Sequence, residues 1–187
     1  IAEEHAISCA AGFALNGYKP YVSIYSTFLQ RGFDELSHDI ARLKLPTTLL
    51  IDRCGLSDND GDTHQGIFDE GILFNIPNTC VCMASNKQEA MQLMELSKNT
   101  DEIMCIKYPK GEICDCNYVK TDSLKKGEWK YLINDNNPKL VISFGPVINE
   151  IYKELKNSSL NYDLVNAIYQ KPLNLGFISD FINKYDE

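Results

Sequence analysis

The chain has 187 residues, 44% of them hydrophobic, and a formal net charge of −8. That length fits one large domain, or one domain with part of a second, and supplies enough apolar residues for a sizeable core. The acidic balance argues against nucleic acid or an anionic membrane as the main partner, and no stretch approaches the roughly 18 consecutive apolar residues of a membrane span. Neither a Met nor a signal peptide opens the chain, which reads as an excised piece of a longer protein.

Residues 1–16 read as a helix that starts on two acids, Glu3 and Glu4, runs through small residues and stops at Gly17. Residues 20–25 read as a strand. Residues 28–43 place Phe28, Phe33, Leu36, Ile40 and Leu43 at helical spacing. The near-continuous apolar run at 47–52 predicts a strand covered on both faces of a parallel sheet. A Gly- and Asp-rich loop follows at 54–66. Strands are predicted at 79–84 and 102–109, with a helix over 86–98 capped by Ser85 or Asn86. This alternation predicts an α/β fold, a three-layer α/β/α arrangement on a mostly parallel sheet, whose ligands bind beyond the carboxyl ends of the strands.

From residue 112 the chain turns polar and Asn/Lys-rich, so 112–137 reads as a linker, with a short hairpin around 127–133. A strand at 139–145, a helix at 147–157, a strand at 162–169 and a helix around 175–185 make a second α/β unit. The predicted domains are 1–111, then the linker, then a partial unit at 138–187 that is small for a core of its own. The seven cysteines mostly sit in apolar stretches, which predicts buried thiols in a reducing compartment. The pairs Cys80/Cys82 and Cys114/Cys116 are spaced C-x-C with no His nearby, so no metal site is predicted.

Four stretches, IAEEHA (1–6), YSTFLQRGFDELSHDIA (25–41), IDRCGLSDNDGDTHQGIFD (51–69) and KYPKGE (107–112), carry a specific resemblance. Together they resemble the pyrimidine-binding domain of the 1-deoxy-D-xylulose 5-phosphate synthase family, thiamine diphosphate enzymes of the transketolase superfamily. The resemblance continues more weakly through KLVISFG and YDLVNAIYQKPLN in the C-terminal part. It implies a thiamine diphosphate-binding fold and condensation of pyruvate with D-glyceraldehyde 3-phosphate, with loss of CO2, in isoprenoid-precursor synthesis. It also implies a homodimer, whose close helix contact the small residues of the first helix would serve.

The resemblance assigns roles residue by residue. Glu3 takes the position of the glutamate that hydrogen-bonds N1′ of the cofactor's aminopyrimidine, which needs a partly buried acid. Taken alone, Glu3 and Glu4 are equally readable as first-turn acids favoured by the helix dipole. Phe28 matches the aromatic that stacks on the aminopyrimidine, a role compatible with a core position. Tyr25 and Arg31 lie near the substrates in relatives; the competing reading pairs Arg31 with Asp34 or Glu35 on its own helix. Arg53 would hold the substrate phosphate. Lys110 stands where the family carries Arg, so the charge is kept and the bidentate fork is lost. His64 would bind or protonate a carboxylate or alkoxide of the reacting donor, and Asp60 would contact an acceptor hydroxyl, with Asp58 and Asp62 as alternatives in register. His38 reads as structural and His5 as support for Glu3.

The superfamily binds the diphosphate and Mg2+ through a G-D-G…N-N motif that this sequence lacks. The resemblance therefore implies that the chain holds only the pyrimidine half of the cofactor site, that an N-terminal domain elsewhere supplies the rest, and that the chain alone is inactive. The pathway implies a plastid-type organelle, an apicoplast or chloroplast, or alternatively bacterial cytoplasm. Competing assignments are a transketolase, a 2-oxo-acid dehydrogenase β-subunit, a non-catalytic dimerising subunit and, last, a thiol hydrolase using a Cys with His64.

Overall fold

A computed structural model describes residues 2–115 and 123–186. Its elements are α1 (Glu3–Leu15), β1 (Tyr21–Tyr25), a 3-10 segment (Ser26–Gly32), α2 (Phe33–Glu35), a π-helical segment (Leu36–Ala41), β2 (Thr48–Asp52) and a 3-10 turn (Asp62–His64). They continue with α3 (Asp69–Asn75), β3 (Thr79–Met83), α4 (Lys87–Asn99), β4 (Ile103–Lys107), β5 (Lys130–Ile133), β6 (Lys139–Ser143), α5 (Val147–Asn157), β7 (Tyr162–Asn166), β8 (Tyr169–Lys171) and α6 (Leu175–Phe181). The chain divides into two compact units, residues 1–82 with 93–112, and residues 83–92 with 113–187. The sequence reading gave 1–111, a linker at 112–137 and a partial unit at 138–187; by compactness, residues 83–92 group with the C-terminal residues.

In the first unit β1, β2, β4 and β3 lie in that order. β1 and β2 run parallel from the Tyr21–Thr48 pair to the Tyr25–Asp52 pair. β2 and β4 are parallel from Thr48–Met104 to Ile51–Lys107. Three strands therefore finish side by side, with Tyr25, Asp52 and Lys107 at one edge. The strands are almost wholly apolar because helices cover a parallel sheet on both faces; every residue of β3 and β4 is buried.

α1 buries Ile7, Ala10, Ala11 and Ala14 at helical spacing and leaves Cys9 and Phe13 exposed. It meets the 3-10 segment at Gly32. A Cβ on Gly32 would run into Cδ1, the far end of the Ile7 side chain, with the Glu3 carbonyl at an ordinary contact distance of 3.6 Å. The predicted single helix over 28–43 is in fact 3-10, then α, then π. The change of pitch still buries Leu29, Leu36 and Ile40. The sequence reading missed α3, which is short, holds Gly71 in its middle and starts on acids. It also merged β7 with β8, which the structure separates at Ala167 and Ile168.

The second unit has a three-stranded mixed sheet ordered β5-β7-β6. β6 and β7 are parallel, whereas β5 runs antiparallel to β7. β5 lies within the span read as a linker, of which residues 116–122 are outside the described residues. Neighbours on β7 point to opposite faces. Leu164 packs with Ile133 and Ile148 against the α5 side chains Ile151, Tyr152 and Leu155. Val165 packs with Trp129 and Ala167 against Phe177, Ile178 and Phe181 of α6. Two helices thus cover the two faces of this small sheet.

Polar groups close the same unit. The Trp129 indole donates to the Tyr169 carbonyl at 2.7 Å. Asp163, fully buried, accepts from the Asp135 and Asn137 backbone N–H groups at 2.9 and 3.3 Å and from the Tyr185 hydroxyl at 2.7 Å. At the start of α4, Asn86 accepts from the Glu89 N–H at 2.9 Å while Glu89 accepts from the Ser85 N–H at 2.8 Å. This reciprocal cap is the one the Ser85–Asn86 pattern signalled.

Among the cysteines, Cys54, Cys80, Cys82 and Cys105 are buried thiols. Cys9, also expected to be buried, is exposed, and Cys114 is disulfide-bonded.

Candidate active site

The site residues gather at the carboxyl edge of the first unit's sheet. Glu3 is the first residue of α1, preceded by Ala2 in the left-handed region at φ 66°. The helix rotation buries Glu3 and leaves Glu4 in solvent. Its Oε2 lies 3.3 Å from Nη1 of Arg31. The Glu3 carboxyl is lowered by its own backbone N–H and, against the cost of burial, by Arg31. Arg31 does not pair with Asp34 or Glu35 in the way the helix-face alternative expected. It reaches Glu3.

The Arg31 guanidinium carbon also lies 4.9 Å from the centre of the Phe28 ring. Phe28 stacks on Tyr25, with centroids 5.7 Å apart and planes inclined by 12°. His64 meets Phe28 edge-on at 5.4 Å, and its Nδ1 is 2.9 Å from the Thr63 hydroxyl. Tyr25 accepts a hydrogen bond from Nη2 of Arg53 at 2.9 Å, and that guanidinium sits 4.3 Å from the Tyr25 ring centre.

Arg53 directly follows β2 and has φ 59°, a left-handed conformation that costs a non-glycine residue free energy. Its Nη1 donates to both oxygens of Asp60 at 3.1 Å. Lys110 adds a second cation, with Nζ 2.8 Å from the Asp60 Oδ1. Lys110 first, and Arg53 after it, hold the Asp60 carboxyl below its ordinary range although burial opposes them. Asp58 and Asp62 are exposed. All eight residues singled out from the sequence therefore form one unbroken chain of contacts, from Glu3 through Arg31, Phe28 and Tyr25 to Arg53, Asp60 and Lys110, with His64 joined at Phe28. His5 and His38 are exposed and outside it.

The 54–66 loop is held in two ways. Gly55 and Gly66 exchange backbone hydrogen bonds at 2.7 and 2.9 Å across its base. A Cβ on Gly66 would strike the Arg53 carbonyl and lie 2.7 Å from the Ser26 Oγ. Inside the loop, Gln65 accepts from the Ser57 N–H at 2.7 Å and donates to the carbonyls of Ser57, Asp60 and Gly61, each at 3.2 Å. Gln65 is a positioning residue that sequence reasoning passed over. The one signal was its place between His64 and Gly66, in a loop whose one large apolar residue, Leu56, is exposed.

A second omission is the buried ion pair beneath the loop. Lys107, 3% exposed, places Nζ 2.8 Å from Asp69 and 2.8 Å from Glu70. Burial alone would lower the Lys107 pKa; Asp69 and Glu70 more than offset this, so it rises. Cys54 lies beside the pair, and burial, reinforced by the Asp69 charge, pushes its thiol up. A raised pKa makes Cys54 a poor nucleophile at neutral pH.

These residues can do three things. A buried carboxylate beside an aromatic ring suits a flat heterocycle with a ring nitrogen, so Glu3 and Phe28 fit the aminopyrimidine of thiamine diphosphate. Two converging cations suit a phosphate. A half-buried imidazole between the two can exchange a proton. Among the described residues no cluster of three or more His, Cys, Asp or Glu could hold a metal ion, so the residues here do not fit the Mg2+ that the resemblance implies.

A parallel sheet with these side chains at its carboxyl edge makes an α/β domain with a candidate ligand site in the usual place for its class. Residues 1–115 match the family described as the transketolase, pyrimidine binding domain, and the chain belongs to that family. It is 47% identical to the 1-deoxy-D-xylulose-5-phosphate synthase of Malacoplasma penetrans over 99% of its length. It is 36% identical to the same enzyme of Caldanaerobacter subterraneus over 100% of its length. It spans only 31% and 30% of those two proteins. Among solved structures, a split-gene transketolase described as an inactive β4 tetramer superposes with a TM-score of 0.79 at 18% identity, over 99% of this chain and 60% of that one. Transketolase from Campylobacter jejuni superposes with a TM-score of 0.78 at 15% identity, over 90% and 27%. Both share the fold.

Proposed function

We propose that the chain is the pyrimidine-binding part of a thiamine diphosphate-dependent transferase that condenses pyruvate with D-glyceraldehyde 3-phosphate, giving 1-deoxy-D-xylulose 5-phosphate and CO2. The observation that carries this reading is the contact chain itself. It joins a buried acid and an aromatic face at one end to a two-cation anion site at the other. When bound, thiamine diphosphate supplies the carbanion chemistry that decarboxylates a 2-oxo acid. Glu3 would hold the N1′ position of its aminopyrimidine and share a proton there, and Phe28 would lie on that ring. Arg53 and Lys110 would bind the phosphate of the acceptor substrate. Asp60 lies between these two cations, so it would keep them in place and contact the acceptor hydroxyl. His64, oriented by Thr63, would give or take the proton on the donor's oxygen, with Tyr25 and Arg31 completing the wall of the site.

The diphosphate and Mg2+ would be held by an N-terminal domain outside this sequence, and a homodimer would bring the halves together, leaving this chain inactive alone. The curated relatives named above are bacterial, which supports a bacterial cytoplasm and weighs against a plastid-type organelle.

The test is CO2 release from pyruvate by the full-length protein with thiamine diphosphate and Mg2+, with and without glyceraldehyde 3-phosphate. Release should require the cofactor, rise with the aldehyde and fall at least about a hundredfold in Glu3→Gln, the range expected for losing one positioned proton-transfer group. A wild type that consumes sugar-phosphate donors but never pyruvate would make it a transketolase. A wild type silent towards both would favour a non-catalytic dimerising subunit.

A further inference from the structure

Arg31 occupies an odd position for a residue 49% exposed in its side chain. Its guanidinium is a flat cation, and it makes two contacts at once: a hydrogen bond to the Glu3 carboxylate at 3.3 Å and a cation–π contact with the Phe28 ring at 4.9 Å. A protonated or N–H-bearing aminopyrimidine would make the same pair of contacts, one to the acid and one to the aromatic face. Acid-rich loops are not what holds Arg31 there. Asp34 and Glu35 are near in sequence, yet the side chain pairs with Glu3.

We propose that Arg31 is an internal stand-in for the cofactor's aminopyrimidine. In the cofactor-free protein it would neutralise the buried Glu3 carboxylate and cover Phe28, and it would have to swing out before the ring can enter. The inference rests on the functional reading above. The swing is open to it, because half of the side chain already faces solvent. A competent pocket would then be only a fraction of the unliganded population, and the apparent affinity for the cofactor would be reduced by that fraction. Once displaced, the guanidinium would remain at the rim, free to meet an anionic substrate.

The experiment compares wild type, Arg31→Ala and Arg31→Lys in the full-length protein, with thiamine diphosphate and Mg2+ as the probe. Binding is followed by calorimetry, and the Arg31 Nε–Hε resonance, which the Phe28 ring current should shift upfield, by NMR. Removing the stand-in should tighten cofactor binding about three- to tenfold, the gain expected if the open pocket is a minority state, while raising KM for pyruvate. Lysine keeps the charge and loses the flat face, so Arg31→Lys should fall between. In wild type the upfield shift should vanish as the cofactor saturates. Equal or weaker cofactor binding in Arg31→Ala with an unchanged melting temperature overturns the proposal, and so does an Arg31 resonance that does not move on saturation. If neither wild type nor variant binds thiamine diphosphate, the functional reading falls, and the stand-in falls with it.

Discussion

At Lys110 the protein keeps a cation but gives up a fork. Lys110 Nζ reaches Asp60 at 2.8 Å as a single point charge, whereas Arg53 donates to both Asp60 oxygens. Restoring a second parallel hydrogen bond with Lys110→Arg should therefore lower KM for glyceraldehyde 3-phosphate about fivefold, the equivalent of one net hydrogen bond near 1 kcal/mol, with kcat little changed; a raised KM would place the phosphate elsewhere. Gln65 offers the opposite case. Its amide satisfies four backbone groups of the loop, so Gln65→Ala leaves the Ser57 N–H without its acceptor and loosens Asp60 and His64 together. Acceptor KM should rise and kcat should fall in this variant, while cofactor affinity holds. Steady-state kinetics beside a cofactor titration would separate the two. The sequence marked His64 for its chemistry and was silent on Gln65. An amide brace has no signature beyond the loop it sits in, because its partners are backbone groups that any residue would present.

Among the elements, β4 and α3 are tied by the Lys107–Asp69–Glu70 cluster. Lys107 ends the buried strand β4, and Asp69 and Glu70 open α3, where acids also suit the helix N-terminus. Removing one partner of a buried pair leaves the other charge uncompensated. Lys107→Met should cost about 3–5 kcal/mol in urea unfolding, and a cost below about 1 kcal/mol would mean that water reaches the pair. The pair was illegible in the sequence for a simple reason. Its members are 37 residues apart or more, and α3 itself went unread, since Gly71 and its seven-residue length hide the helical period. Long strands and α4 were legible, because a continuous apolar run or a capped amphipathic stretch repeats its signal several times.

Over the whole molecule, acid should act through Asp60 in one unit and Asp163 in the other. Burial raises the Asp163 pKa, but the Tyr185 hydroxyl and the Asp135 and Asn137 backbone N–H groups offset it, and the net shift is downward. Asp60 is lowered as well. A folded-state pKa below the ordinary 3.8 means that the ionised form stabilises the fold at every pH above that value. This stabilisation is lost as pH falls through the lower folded-state pKa. Unfolding midpoints should thus be insensitive to these two groups from pH 7 to 5 and drop below about pH 4, the unperturbed Asp range. Asp163→Asn should flatten that acid limb; an unchanged limb would assign acid sensitivity to other carboxylates.

The sequence by itself determined the α/β class, the order of most strands and helices, and the family, because each rests on local signals: apolar runs, caps, and short strings such as T-H-Q-G and Y-S-T-F-L-Q-R. It also supplied the eight residues of the candidate site. Only the tertiary structure decided how they touch. Arg31 could have served its own helix face, and in the structure it meets Glu3 instead. Asp58 and Asp62 were alternatives to Asp60, and it is Asp60 that meets Arg53 and Lys110. Those choices depend on backbones distant in sequence meeting within a few ångströms, and no spacing along the chain records that.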